Sequence, residues 1–77
     1  MSTIPYTNAV IFGAGQVGLT LMGQLAAAGV QVTLVNRSGR VRETLPVGVR
    51  VIAGDLTDAA TVARLATNAE VVFATAQ

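Results

Sequence analysis

Apolar residues along this chain come in short runs separated by glycines and polar steps. From Asn8 the sequence reads Ala9-Val10-Ile11-Phe12 and stops at Gly13, which predicts a buried strand ending in a tight turn. Gly15 to Ala28 reads as a helix, because Gly18, Leu21, Met22, Leu25 and Ala28 recur at three- and four-residue steps and Gly29 supplies a stop. Gly18 and Gly23 each cost this helix roughly 1 kcal/mol relative to Ala, so each needs a reason outside helix propensity. Gln31 to Val35 is a second strand buried on both faces. Asn36 to Gly48 is the most polar stretch and reads as a surface connection with one short helical turn. Val49 to Ala53 is a third strand, ended by Gly54. A second helix follows to Thr67, with Thr57 as N-cap, Asp58 favouring the helix dipole, and Val62, Leu65 and Ala66 as its apolar stripe. Glu70 to Thr75 is the fourth strand. Met1 to Thr7, which holds Pro5, reads as a loose leader.

Strands alternating with helices over short connections demand parallel pairing with right-handed crossovers. The fold class expected is therefore α/β, a partial doubly wound Rossmann fold of about four parallel strands in the order 3-2-1-4. Its switch point then lies at the carboxyl ends of strands one and four, where open α/β sheets bind ligands.

Three segments carry chemistry. Gly13-Ala14-Gly15-Gln16-Val17-Gly18 is a G-x-G-x-x-G between a strand and a helix, the context that separates a dinucleotide fingerprint from chance. Gly13 allows the turn, Gly15 lets the backbone approach a pyrophosphate, and Gly18 brings the helix close to the sheet, while the helix N-terminus faces the anion. The plain architectural alternative is that the glycines only make a tight strand-to-helix turn. The second segment, Asn36-Arg37-Ser38, ends strand two, where a carboxylate would read the ribose of NAD. Here a guanidinium and a hydroxyl can hold a 2′-phosphate, which favours NADP; Arg40 or Arg42 could add to it. NAD stays open, since Asn36 could hydrogen-bond a plain ribose hydroxyl, and the arginines could be ordinary solvated charges. The third segment is Gly54-Asp55-Leu56-Thr57-Asp58. Asp55 could accept from an adenine amine beside the Leu56 backbone, or serve only as a turn residue before the helix.

Composition mostly excludes. The 77 residues allow a single small domain, 1–77. There is no Cys, His, Lys or Trp, so disulfides, a thiol nucleophile, a structural zinc site, a Schiff base and a Tyr/Lys proton-transfer pair are ruled out for this chain alone. A net charge of +1, with all basic residues Arg, provides no patch for nucleic acid. A mean hydropathy of +0.61 raises the membrane question, but no apolar run reaches the roughly 20 residues needed to span a bilayer. The N-terminus shows no secretory pattern, so a cytoplasmic location is expected.

Taken together, Gly13-x-Gly15-x-x-Gly18, Asn36-Arg37-Ser38, Asp55-Leu56 with Thr57-Asp58, and Val71-Val72-Phe73 running into Ala74-Thr75-Ala76 resemble the N-terminal part of short-chain dehydrogenase/reductase proteins. The likeness is greatest to the extended and atypical, NAD-dependent epimerase/dehydratase group, and it covers the chain from Asn8 onward. The resemblance implies that Gly13, Gly15 and Gly18 with the Gln16 and Val17 amides line the pyrophosphate. It places Arg37 and Ser38 at the 2′-phosphate, Asp55 and Leu56 at the adenine, and Ala74, Thr75 and Ala76 at the neighbouring ribose. Gly13-x-Gly15 is the simple spacing, not the wider one typical of the extended branch. The family's catalytic Tyr and Lys lie downstream of the region represented here, and Tyr6 is a leader residue. No catalytic residue is therefore assigned, and the chain is expected to be the cofactor-binding portion of a longer protein that supplies the substrate site.

The leading reading is an NADP-binding portion of a reductase or epimerase/dehydratase. Competing with it are a non-catalytic NADP-sensing regulator and a ketopantoate-reductase-like dehydrogenase, which shares the Gly-Ala-Gly start and the Leu-Val-x-Arg strand end. If a fifth strand normally pairs with strand four, Val71-Val72-Phe73 is left as an apolar edge, and the isolated chain is expected to form homo-oligomers through it.

Overall fold

The computed structural model describes residues 7–13 and 15–75. Strands β1 (Asn8–Phe12), β2 (Gln31–Asn36), β3 (Val49–Ala53) and β4 (Val71–Ala74) alternate with helices α1 (Gln16–Ala27) and α2 (Ala59–Ala66), α1 linking β1 to β2 and α2 linking β3 to β4. All pairings are parallel and the sheet runs β3-β2-β1-β4, the α/β order read from the alternation of elements. Each strand end differs from the sequence reading by at most one residue. Glu70, expected in the fourth strand, precedes it and instead accepts hydrogen bonds from Thr7 and Asn8.

Side chains of a strand alternate between faces, and here the alternation sorts the core into two layers. Ala9 and Ile11 of β1 meet Val32 and Leu34 of β2, with Met22 and Leu25 of α1 and Val30 packed over them. On the opposite face Val10, Phe12 and Val35 are covered by Ile52, Leu56, Val62, Leu65 and Ala69. Central β1 and β2 are apolar on both faces because both faces are roofed.

α1 ends as Gly29 predicted. Gly29 adopts φ +86, its N–H reaches Ala26 O at 3.0 Å, and Val30 N–H reaches Leu25 O at 3.0 Å. This is the paired closure that satisfies the last carbonyls of a helix, and it buries Val30 against Leu25.

Two expectations are corrected. No helical turn forms between β2 and β3: Gly39 and Gly48 take positive φ, Pro46 lacks a donor, and the segment instead lays Val41 and Leu45 on the α1 face as irregular chain. The N-cap of α2 is Asp58, not Thr57. Thr57 donates both its N–H and its hydroxyl to Asp55 Oδ1, at 2.9 and 2.6 Å. The Asp58 carboxylate is then the group that accepts from Ala60 N–H at 3.0 Å and the Thr61 hydroxyl at 2.9 Å.

α2 buries no residue completely, so its cap contributes a larger share of its stability than the packing-rich α1 requires. The Thr61 hydroxyl, and after it the N–H groups of Thr61 and Ala60, hold the Asp58 carboxyl below its usual 3.8. A folded value below the unfolded one means that the cap is fully effective above pH 3.8 and fades as pH falls through the folded value. Asp58→Ala is expected to lower the melting temperature at neutral pH. The gap from wild type should close in acid, as followed by circular dichroism melts across a pH series.

Candidate functional site

The turn after β1 is built by three glycines, each present for a different physical reason. Gly13 sits at φ +115, a region L side chains avoid, and its N–H continues the sheet by donating to Val35 O at 2.8 Å. Gly18 is buried in the first turn of α1. A Cβ there would collide with the Gly13 carbonyl oxygen and lie 2.8 Å from Thr75 Oγ1. Gly15 has ordinary backbone angles, φ −76 and ψ −173, and a Cβ added to it would meet nothing within 4 Å. Neither strain nor packing within the protein calls for glycine there. What its missing side chain preserves is open space outside the protein.

Gly15 is also the N-cap of α1, with no side chain to close the helix end. Among the described residues, the first N–H to find a helical acceptor is that of Leu19, 2.9 Å from Gly15 O. The N–H groups ahead of it belong to the helix end that attracts anions. On the far side, Thr75 N–H donates to Phe12 O at 2.9 Å. Its hydroxyl lies 3.4 and 3.3 Å from the carbonyls of Phe12 and Gly13. The end of β4 is thereby tied to the glycine turn.

A cleft of about 600 Å³ opens over this turn, along the carboxyl ends of the strands, a size suited to small-molecule sites. Of the residues singled out from sequence, Gly13, Gly15, Gln16, Val17, Asn36, Arg37, Leu56 and Thr75 line it. Gly18 lies behind it in the core. Ser38, Asp55 and Ala74 do not line it, and Ala76 is outside the described residues, as is Tyr6. Among the described residues, Arg37 is the only charged one in the lining, and none of them is a carboxylate.

Local hydrogen bonds explain these placements. Ser38 Oγ turns toward Arg40, 3.2 Å from both its N and its O. Asp55 is occupied as a turn residue by Thr57, whose hydroxyl and N–H, with a smaller effect from Arg37, hold its carboxyl below the usual range. Asn36 lines the cleft, yet both ends of its amide already have partners: Oδ1 accepts from Gly39 N–H at 2.6 Å and Nδ2 donates to Arg40 O at 2.7 Å.

A glycine turn opening onto a helix N-terminus, at the sheet's switch point, is an arrangement suited to a dinucleotide pyrophosphate. The model of the NAD(P)H-binding family matches residues 13–77. The chain belongs to that family. No curated protein and no solved structure matches it. Among the described residues of this NAD(P)H-binding domain, no helix is long and apolar enough to cross a membrane.

Two lining residues escaped the sequence reading of the site. Thr57 reads from the sequence as a helix cap. Gly54 reads from the sequence as a strand stop, yet a Cβ on it would come within 2.7 Å of Val35 Cγ1 and 3.4 Å of Leu65 Cδ1, so it lets α2 settle against the sheet beside the cleft. The glycine directly after the third strand was the available signal. A larger groove of about 750 Å³, which includes Thr33, Arg50, Arg64 and Asn68 in its walls, lies at the amino ends of the strands under the last turn of α2. It has neither the glycine turn nor a helix N-terminus.

The helix glycines separate by test. A Cβ at Gly23 meets nothing within 4 Å, so Gly23→Ala is expected to stabilise the domain by about 1 kcal/mol through helix propensity. Gly18→Ala gains the same ~1 kcal/mol but meets an overpacking cost of about 3 kcal/mol, for a net loss of about 2 kcal/mol. Urea unfolding of the two variants should move the midpoint in opposite directions.

Proposed function

We propose that the domain binds NADP(H) in preference to NAD(H), as the cofactor-binding part of an NAD(P)-dependent reductase or epimerase/dehydratase of the short-chain dehydrogenase/reductase type. The observation that carries the preference is Arg37, the one charge among the described residues of a cleft wall in which they supply no carboxylate. A guanidinium can take a 2′-phosphate in a bidentate, charge-assisted contact, and no described lining residue is anionic, the nearby Asp55 being already bonded to Thr57. Gly13, Gly15 and the Gln16 and Val17 amides would hold the pyrophosphate. Leu56 would flank the adenine, with Asp55 and Ser38 reaching the nucleotide only after giving up their present partners. Thr75, with Ala74 and Ala76, would border the neighbouring ribose. The bound nicotinamide supplies the hydride chemistry, and this chain contributes binding and orientation. The small-molecule substrate would be held by parts of a longer protein. The second reading, an NADP sensor without catalysis, uses the same cleft and differs only in lacking that substrate site.

The edge of β4 supports a further part of this reading. Among the described residues β4 pairs only with β1, and its Val72 is 42% exposed. An unpaired, uncharged strand edge is a template for pairing, and we propose that two copies join there.

Titration calorimetry with NADPH and NADH tests the cofactor assignment. Wild type is expected to bind NADPH more tightly. Arg37→Ala should weaken NADPH by about 10- to 100-fold, the worth of one charge-assisted contact, with little change for NADH. Gly15→Val should abolish binding of both while leaving the melting temperature close to wild type. A folded wild-type protein that binds neither nucleotide would overturn the reading. For the β4 edge, sedimentation velocity should show a concentration-dependent dimer that Val72→Arg returns to monomer; a wild-type monomer at all concentrations would refute the pairing.

A further inference from the structure

We propose that Asn36 is a positioning residue that sets the preference between NADPH and NADH, by clamping the loop that carries Arg37. The inference rests on the NADP(H) reading above and concerns how the reader of the 2′-phosphate is held.

Asn36 is the last residue of β2, and its backbone is fixed there by Gly54 N–H, which donates to Asn36 O at 2.8 Å. From that anchor its side chain spans the following loop with two bonds of opposite polarity. Oδ1 accepts from Gly39 N–H at 2.6 Å, and Nδ2 donates to Arg40 O at 2.7 Å. Only a side chain offering a donor and an acceptor side by side can make both; an aspartate would turn a lone pair toward the Arg40 carbonyl. The far side of the loop is seated as well. Gly39 takes φ +71, and a Cβ on it would lie 3.0 Å from Ala53 N and 3.1 Å from Ala53 Cβ. Within the loop the Ser38 hydroxyl sits 3.2 Å from Arg40 N and O. Residues 37–40 are thus pinned at both ends and in the middle.

Arg37 is exposed, lines the cleft and makes no hydrogen bond among the described residues. The side chain is therefore left free for a ligand while its backbone is held in place. Ordering of the loop is met during folding and not on binding, which is how preorganisation raises affinity. That gain goes to NADPH alone, because NADH has no 2′-phosphate for Arg37 to meet. The alternative role, a direct bond from Asn36 to a ribose hydroxyl, would use the second hydrogen and lone pair of its amide and would serve NADH at least as well as NADPH, whose adenosine ribose has no free 2′-hydroxyl.

The two roles separate in a double-mutant cycle read by titration calorimetry with NADPH and NADH on wild type, Asn36→Ala, Arg37→Ala and the double variant. The clamp predicts that Asn36→Ala lowers NADPH affinity about tenfold, about 1.4 kcal/mol, and changes NADH by less than about twofold. It also predicts no further loss of NADPH affinity when the substitution is added to Arg37→Ala. Weakening of NADH as large as that of NADPH or larger, or losses that add in the double variant, would overturn the clamp and leave the NADP(H) reading standing. Wild type that binds neither nucleotide would overturn both. Should Asn36→Ala fail to fold, Asn36→Ser removes the donor to Arg40 O with a smaller change, and the same affinity ratio decides.

Discussion

The tightest constraint in this domain is the approach of α1 to the turn after β1, where Gly18 faces the Gly13 carbonyl with no side chain between them. Three elements meet at that point. β1 ends in it, α1 begins behind it, and Thr75 at the end of β4 closes on it through its backbone N–H and hydroxyl. A single added carbon would push the helix off the sheet. Because the helix starts so close, its N-terminal amides and the mouth of the cleft occupy one small region, and the anion-attracting end of α1 is aimed at the place where the sheet order reverses.

Much of the cleft's character follows from what its walls do with their own hydrogen-bonding groups. Asp55 accepts from Thr57, Asp58 caps α2, and Ser38 is folded back on Arg40. Each of these polar groups lies near the cleft and each is satisfied locally. Arg37 remains, carried on a loop whose geometry is held by Asn36 and by the seat of Gly39 on Ala53. Among the described residues, the cleft wall holds one cation and no anion, which favours an anionic ligand.

The two helices contribute unequally. α1 buries Gly18, Met22 and Leu25 over the centre of the sheet and ends in a closed glycine motif, so it is held by packing. α2 buries nothing completely and relies on its aspartate cap and on the half-buried stripe of Val62 and Leu65. The strand edge at β4 is similarly lightly protected. The side of the domain around α2 and β4 is therefore less firmly built than the side that shapes the glycine turn.

Element order, strand order and the dinucleotide fingerprint were legible in the sequence, because each rests on a local signal. Apolar runs of strand length, helical spacing in Leu21, Met22 and Leu25, and glycines at strand and helix ends act over a few residues, and right-handed crossovers leave few ways to assemble them. Which polar residues face the cleft was decided only by the tertiary structure. Asn36, Ser38, Asp55, Thr57 and Asp58 can each cap, turn or bind, and their sequence positions do not rank these uses. The choice shows in the partner each has at hydrogen-bond distance: Asn36 and Ser38 bond within the loop after β2, Asp55 holds Thr57, and Asp58 caps α2. Gly15 and Gly23 show the same division. Both read as costly helix glycines or fingerprint residues, and only the space around each shows that neither is needed for packing, and that the one at the cleft leaves room for a ligand.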